Sequence, residues 1–349
     1  MGNGDTGHML PVGVSTGIGS MPGTDAAEAC AVVLGELPQL PYLPELPDRG
    51  LGADMIGRSA AMLVDIAVEY VPTGYRVTAK PGADHRRGVD LLRWDMDAVQ
   101  EAVEKAGEAP QVIKTQVAGP WTLSAGVELP RGHRVLTDRG AVRDVTESMV
   151  EGVREHIAEL HKRTGAQVIV QLDEPTLPAV LAGSLPTASG YGTVPSVPTA
   201  DAREVLASVI EPLSAVTGAP VIVHCCDTRP PIALLRAAGA GAIAFDATTV
   251  DGAPGALLDE LGEAWDDGTV LLLGLVPTRQ PEQPVTLKEL VQPAFNLADR
   301  LGFARSTLAE RAIATPSCGL AGASEAWLRR AITLAQDAAK AFVEPPESW

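Results

Sequence analysis

Seven short apolar runs recur along the chain: 12–20 (VGVSTGIGS), 111–119 (QVIKTQVAG), 166–174 (AQVIVQLDE), 219–227 (APVIVHCCD), 240–248 (AGAIAFDAT), 269–277 (TVLLLGLVP) and 311–319 (RAIATPSCG). Most are rich in Val and Ile and nearly continuous, not alternating. That is the pattern of parallel strands covered on both faces. Between them lie amphipathic stretches. In 137–164, Val142, Val145, Met149, Val153, Ile157 and Leu160 recur at helical spacing. Residues 201–217, 229–238, 254–264, 285–302 and 323–343 also read as helices. Strand alternating with helix implies βαβ units and a parallel sheet. Seven strands, with an eighth less distinct one between residues 40 and 80, predict an α/β fold: a TIM (β/α)8 barrel. It forms a single domain over 1–349 with its core at about 12–343. An open doubly wound sheet is the alternative. Two segments read as loops: the Pro-dense 36–53 and the Gly-, Ser- and Pro-rich 183–199. Each is either a lid over a site or a solvated connection.

Composition narrows the function. The 349 residues are 46% hydrophobic but 4% aromatic, so the core is built from Ala, Val, Leu and Ile. A formal net charge of −17 argues against nucleic acid and against anionic membrane surfaces, which need clustered Lys and Arg. The N-terminal MGNGDTGHMLPVGV has neither a basic stretch nor a long apolar one, and no run reaches transmembrane length. The chain is therefore expected to be cytoplasmic. Four cysteines do not make a disulfide framework in a chain of this size. In a reducing compartment Cys225, Cys226 and Cys318 read as thiols or metal ligands.

The chemistry gathers where strands end. The late runs finish in Asp173–Glu174, in His224–Cys225–Cys226–Asp227, in Asp246 and in Cys318. In a parallel barrel these ends share one face, where active sites form. Thiolate and imidazole together favour zinc over magnesium or calcium. Alternation along a strand aims His224 and Cys226 the same way and Cys225 the other. His224, Cys226 and Cys318 are thus the expected metal ligands. His85, Arg86, Arg87 and His133 form either a small anion-binding patch or solvated loop, and no glycine-rich nucleotide motif is present.

These residues resemble the catalytic barrel of cobalamin-independent methionine synthase. His224–Cys225–Cys226 and TPSCGL (315–320) resemble its zinc site. IGSMP (18–22), ADMIG (53–57), VAGPWTL (117–123) and QLDEPTL (171–177) resemble further motifs in the same order. VAGPWTL is also similar to a segment of the related uroporphyrinogen decarboxylases. The resemblance implies a zinc enzyme that activates homocysteine as a thiolate and methylates it to methionine. It implies a further carboxylate ligand, for which Asp246 is the candidate, the alternative being three protein ligands. It implies a homocysteine pocket in which Asp173 holds the ammonium, the backbone of Ile18, Gly19 and Ser20 holds the carboxylate, and Ser20 adds a hydroxyl. The family's second carboxylate falls at Arg49, and Glu45 is the nearest substitute. Full-length members carry a second, N-terminal barrel, and the resemblance here is to the catalytic half. Members also place a His after the strand that here reads LLLGLVPTRQP, where this chain has Val276, Pro277 and Thr278. The donor the resemblance implies is methyltetrahydrofolate or a methylcorrinoid, the latter carried by a corrinoid protein. Alkylation of another thiol such as coenzyme M, a metal-free lyase and a zinc-stabilised binding protein are the other readings.

Overall fold

A computed structural model describes residues 10–187 and 190–344. A hairpin of β1 (Ala67–Val71) and β2 (Gly74–Thr78) is antiparallel, and β4 (Val127–Glu128) joins it in parallel. The principal sheet is wholly parallel and contains six strands in the order β3 (Val112–Ala118), β5 (Gln167–Asp173), β6 (Ile222–His224), β7 (Ala242–Asp246), β8 (Val270–Val276) and β9 (Ala312–Pro316). It curls, with helices on its outer face.

Two irregular segments continue this sheet at its two edges. Ser15 bridges Ala314 of β9, and Tyr42 bridges Lys114 of β3, both in parallel. The segments also meet each other, through a parallel bridge between Ser20 and Glu45. The second segment lies in the Pro-dense stretch expected to be a loop or lid. It is instead a stave of the sheet, with Leu40, Tyr42, Leu43, Glu45 and Leu46 buried. Proline there is compatible with pairing because the donors are the residues between: Leu43 N to Lys114 O and Glu45 N to Gly19 O.

The inner face carries its own apolar cluster, including Val14, Leu40, Val112, Ile169, Ile222, Leu272 and Ile313. The outer positions of the same strands, such as Val168, Val223, Ile243, Leu271 and Ala314, pack instead with the helices. Both faces are apolar, which is why the runs read as continuous in sequence.

The helices are α1 (Ala26–Glu36), α2 (Met55–Ala60), α3 (Ala83–Ala106), α4 (Pro120–Gly126), α5 (Arg139–Thr164), α6 (Leu177–Ala182), α7 (Thr199–Thr217), α8 (Ile232–Ala237), α9 (Gly255–Asp266), α10 (Leu287–Leu301), α11 (Thr307–Arg311) and α12 (Glu325–Val343). Five of the six expected helices agree to within about two residues at either end. The exception, 229–238, shortens to α8 because Pro230 and Pro231 precede it. Among the described residues no helix is long and apolar enough to cross a membrane.

Candidate metal centre

Three side chains meet beyond the C-terminal ends of β6 and β9. The Nε2 or Nδ1 atom of His224 and the Sγ atoms of Cys226 and Cys318 lie within 4.8 Å of one another. His224 ends β6, on the inner face by alternation from Ile222. Cys318 follows β9, where an irregularity between Gly274 and Val276 breaks the β8–β9 register. A Cβ at Gly274 would stand 2.7 Å from both Phe245 O and Ser317 Cα, so glycine allows this crowding of three staves. The Cys226 and Cys318 sulfurs are 3.1 Å apart. Cys225 is fully buried outside the cluster, and burial pushes its thiol up to about 12.

His224 is held by one nitrogen. Its Nδ1 lies 2.9 Å from Asp173 Oδ1, which can only accept from it, so Nδ1 carries the proton. Nε2 is buried and has no hydrogen-bond partner in the protein. A buried ring nitrogen without a partner, beside two thiols, is what an ion-binding imidazole presents. Burial would lower the His224 pKa, but the hydrogen bond it donates to Asp173, and then Cys318, raise it to about 9. The bond shared with Cys226 draws Cys318 down to about 4 against the effect of burial, with His224 assisting, while Cys226 is pushed up.

Asp246, expected as a further ligand, stands outside this cluster. Its Oδ1 accepts from Thr248 N at 3.0 Å and Thr248 Oγ1 at 2.6 Å, capping the turn after β7. Its short side chain serves the local backbone. The set brought together is therefore three residues.

The expected substrate residues surround the same strand ends. Asp173 touches His224. Ser20 lies over the Cys318 loop: a Cβ on Gly319 would come 2.0 Å from its Oγ, and Ser20 O accepts from Leu320 N at 2.8 Å. Glu45 pairs with Ser20 across the bridge. Burial and then Asp173 push the Glu45 carboxyl up to about 7, against Arg58 and Lys114. Gly19 is packed on Gln116, with 2.7 Å left for a Cβ. Ile18 faces inward, and its carbonyl accepts from Lys114 Nζ at 2.9 Å and Gln171 Nε2 at 2.8 Å. Arg49 is engaged elsewhere, bonded to Asp95 at 2.7 Å.

The model of the family described as "Cobalamin-independent synthase, Catalytic domain" matches residues 14–341. The chain belongs to this family. A B12-independent methionine synthase from Shewanella sp. W3-18-1, solved with selenomethionine, superposes with a TM-score of 0.58 at 12% identity, covering 95% of this chain and 97% of that one. A methyltransferase from Methanosarcina mazei gives 0.55 at 14% identity, covering 94% and 93%. At such identities the likeness is one of fold. No curated protein matches the sequence.

Within this member of the synthase family, two features escaped the sequence reading. Glu174 is wholly buried and accepts from Trp121 N, Thr122 N and Thr122 Oγ1 at 2.7–2.9 Å, holding the start of α4. Gly119 leaves it room, since a Cβ would lie 2.3 Å from Glu174 Oε1. Lys114 and Gln116, also unassigned, sit with Gln171 on the inner face below the cluster; polar residues at alternate positions of an apolar run were the available signal. From the loop 183–199, residues 194–198 line a cleft of about 770 Å³ between α5 and α7, and 188–189 lie outside the described residues. Arg87 bonds to the carbonyls of Leu51 and Arg49, and Arg86 to that of Pro81, so both guanidinium groups serve the backbone.

Proposed function

We propose that this chain is a zinc-dependent S-methyltransferase that methylates homocysteine to methionine, with methyltetrahydrofolate or a methylcorrinoid as donor. The observation that carries it is the unpartnered His224 Nε2 set against two thiols. His224, Cys226 and Cys318 would hold the ion, and a three-residue set leaves a coordination position for substrate, as catalytic zinc sites do. Bound zinc would supply the acidity that makes a thiol a thiolate at neutral pH. The chain's own part is placement. Asp173 fixes the imidazole, and Glu45 and Asp173 together supply negative charge for an ammonium group. Ser20 offers a hydroxyl beside the Cys318 loop. Methyl transfer forms one sulfur–carbon bond as the donor's bond to methyl breaks, and the thiol proton is released. The family and the selenomethionine in the Shewanella enzyme, the selenium counterpart of methionine, support this choice of substrate.

We also infer that the curled sheet closes into an eight-stave barrel forming one domain, which the three bridges and the inner apolar cluster support. Four free cysteines accord with a reducing, cytoplasmic setting.

Zinc content and zinc X-ray absorption, with and without homocysteine, test the reading. We expect about one zinc per chain with two sulfur neighbours, rising to three on adding homocysteine. No stoichiometric zinc moves the chain to a metal-free lyase. Zinc with an unchanged shell points to another thiol or a structural site.

A further inference from the structure

The inner face of the sheet is layered. Below is the apolar cluster that includes Val112, Ile169, Ile222 and Ile313. Above are the metal residues. Between them lies a layer of polar side chains with no access to solvent: Lys114, Gln116 and Gln171 are each at most 1% exposed. Burying an ammonium and two amides is costly unless every bond is made.

Here the bonds are made, and they have a direction. Lys114 Nζ has three acceptors: Ile18 O at 2.9 Å, Gln116 Oε1 at 2.9 Å and Gln171 Oε1 at 2.8 Å. Three acceptors match the three protons of an ammonium. Each glutamine oxygen turned toward Lys114 forces its amide nitrogen the other way. Gln171 Nε2 then donates to Ile18 O at 2.8 Å and to Asp173 Oδ1 at 2.7 Å. Gln116 Nε2 donates to Leu43 O at 2.9 Å and reaches Glu45 Oε1 at 3.5 Å. Flipping the Gln171 amide would set its NH2 against the ammonium and its carbonyl against a carboxylate. Asp173 Oδ1, held by Gln171, is the atom that accepts from His224 Nδ1.

We propose that Lys114 is a positioning residue for the metal centre: through Gln171 it locks Asp173 Oδ1 onto His224 Nδ1, so that Nε2 faces the two cysteines. Lys114 touches none of the metal ligands, and its one direct contact with the expected substrate residues is the Ile18 carbonyl. It acts by fixing which way an amide points, and so which imidazole nitrogen keeps its proton. Gln116 carries the same orientation toward Glu45, so one buried cation aligns both carboxylates of the proposed ammonium site. The proposal rests on the zinc reading only in its metal-affinity readout.

The test uses the full chain with ring-¹⁵N-labelled histidine, in metal-free and zinc-loaded forms. The His224 Nδ1 proton is assigned by its absence in His224→Asn. Zinc affinity is measured by competition with a chelator. We expect an exchange-protected Nδ1 proton in the wild type. In Lys114→Met we expect its loss and zinc binding weaker by about 10–100-fold, the usual effect of removing support behind a ligand. Gln171→Met, which leaves Lys114 two of its acceptors, should do the same and decides the matter if Lys114→Met does not fold. A folded variant of either kind that keeps the protected proton and wild-type affinity overturns the proposal, as does a wild type with no protected Nδ1 proton. A protected proton in a wild type that binds no zinc overturns the zinc reading and leaves the positioning role standing.

Discussion

Cys225 and Cys226 are neighbours in the chain with opposite surroundings. Cys226 faces Cys318 at 3.1 Å, while Cys225 is fully buried outside the cluster. Cys226→Ser should therefore lower zinc affinity by at least about 100-fold, with a modest effect on folding. Cys225→Ser should leave zinc affinity unchanged but cost about 1–2 kcal/mol of stability, because it buries a hydroxyl. Chelator competition and thermal melting of the two variants separate these effects, and equal zinc affinities would remove Cys226 from the site. The alternation of side chains along a strand made this pair legible in sequence. Asp246 was not, because strand-end position says where a carboxylate starts and not what it bonds. A free backbone N–H two residues on claims an Asp side chain more readily than a distant partner can.

At the scale of elements, α5 shows what packing adds to pattern. Its apolar spacing predicts the helix, but not why Gly152 occupies its middle. A Cβ there would lie 1.7 Å from the Met62 carbonyl oxygen, and Ser148 Oγ bonds Val64 O on the same turn at 2.7 Å. Backbone meets backbone, so neither side can yield by rotating. Gly152→Ala should cost about 3 kcal/mol or more and lower the melting temperature by several degrees. Gly262, inside α9, has 3.6 Å to Leu301 Cδ2, an ordinary contact. Gly262→Ala should stabilise by about 0.5–1 kcal/mol, since only the helix-propensity gain remains. Equal melting shifts for the two alanines would show that α5 is free to move away. The stave at 41–45 and helix α3 were missed for different reasons. Proline density hid the stave because only alternate residues need to donate. In α3, Leu91, Leu92, Met96, Val99 and Val103 do recur at helical spacing, so its signal was present though unread.

For the whole molecule, parallel architecture was legible because both faces of the sheet are apolar. Its polar middle was not, because Lys114 and Gln171 acquire meaning only when β3 and β5 stand side by side. The same enclosure shapes the response to pH. His156, in α5, is buried, and its Nε2 meets Thr115 Oγ1 of β3 at 3.0 Å. Burial, assisted by Arg58, pushes its pKa down from 6.5 to about 3. Below pH 6.5 the unfolded chain takes up a proton there and the folded chain does not. The stability present above pH 6.5 is therefore lost as pH falls toward about 3. Glu45 and Glu174, pushed up to about 7, act in the opposite sense, since the folded chain holds their protons more tightly than the unfolded one. Wild type alone mixes these slopes, but they cancel in a comparison with His156→Gln. Relative to that variant, wild type should lose about 1.4 kcal/mol for each pH unit between roughly 6 and 4, measured by denaturant unfolding in metal-free protein. Parallel curves for the two proteins would mean that His156 protonates in place, and that the contact between α5 and β3 opens to water without unfolding the chain.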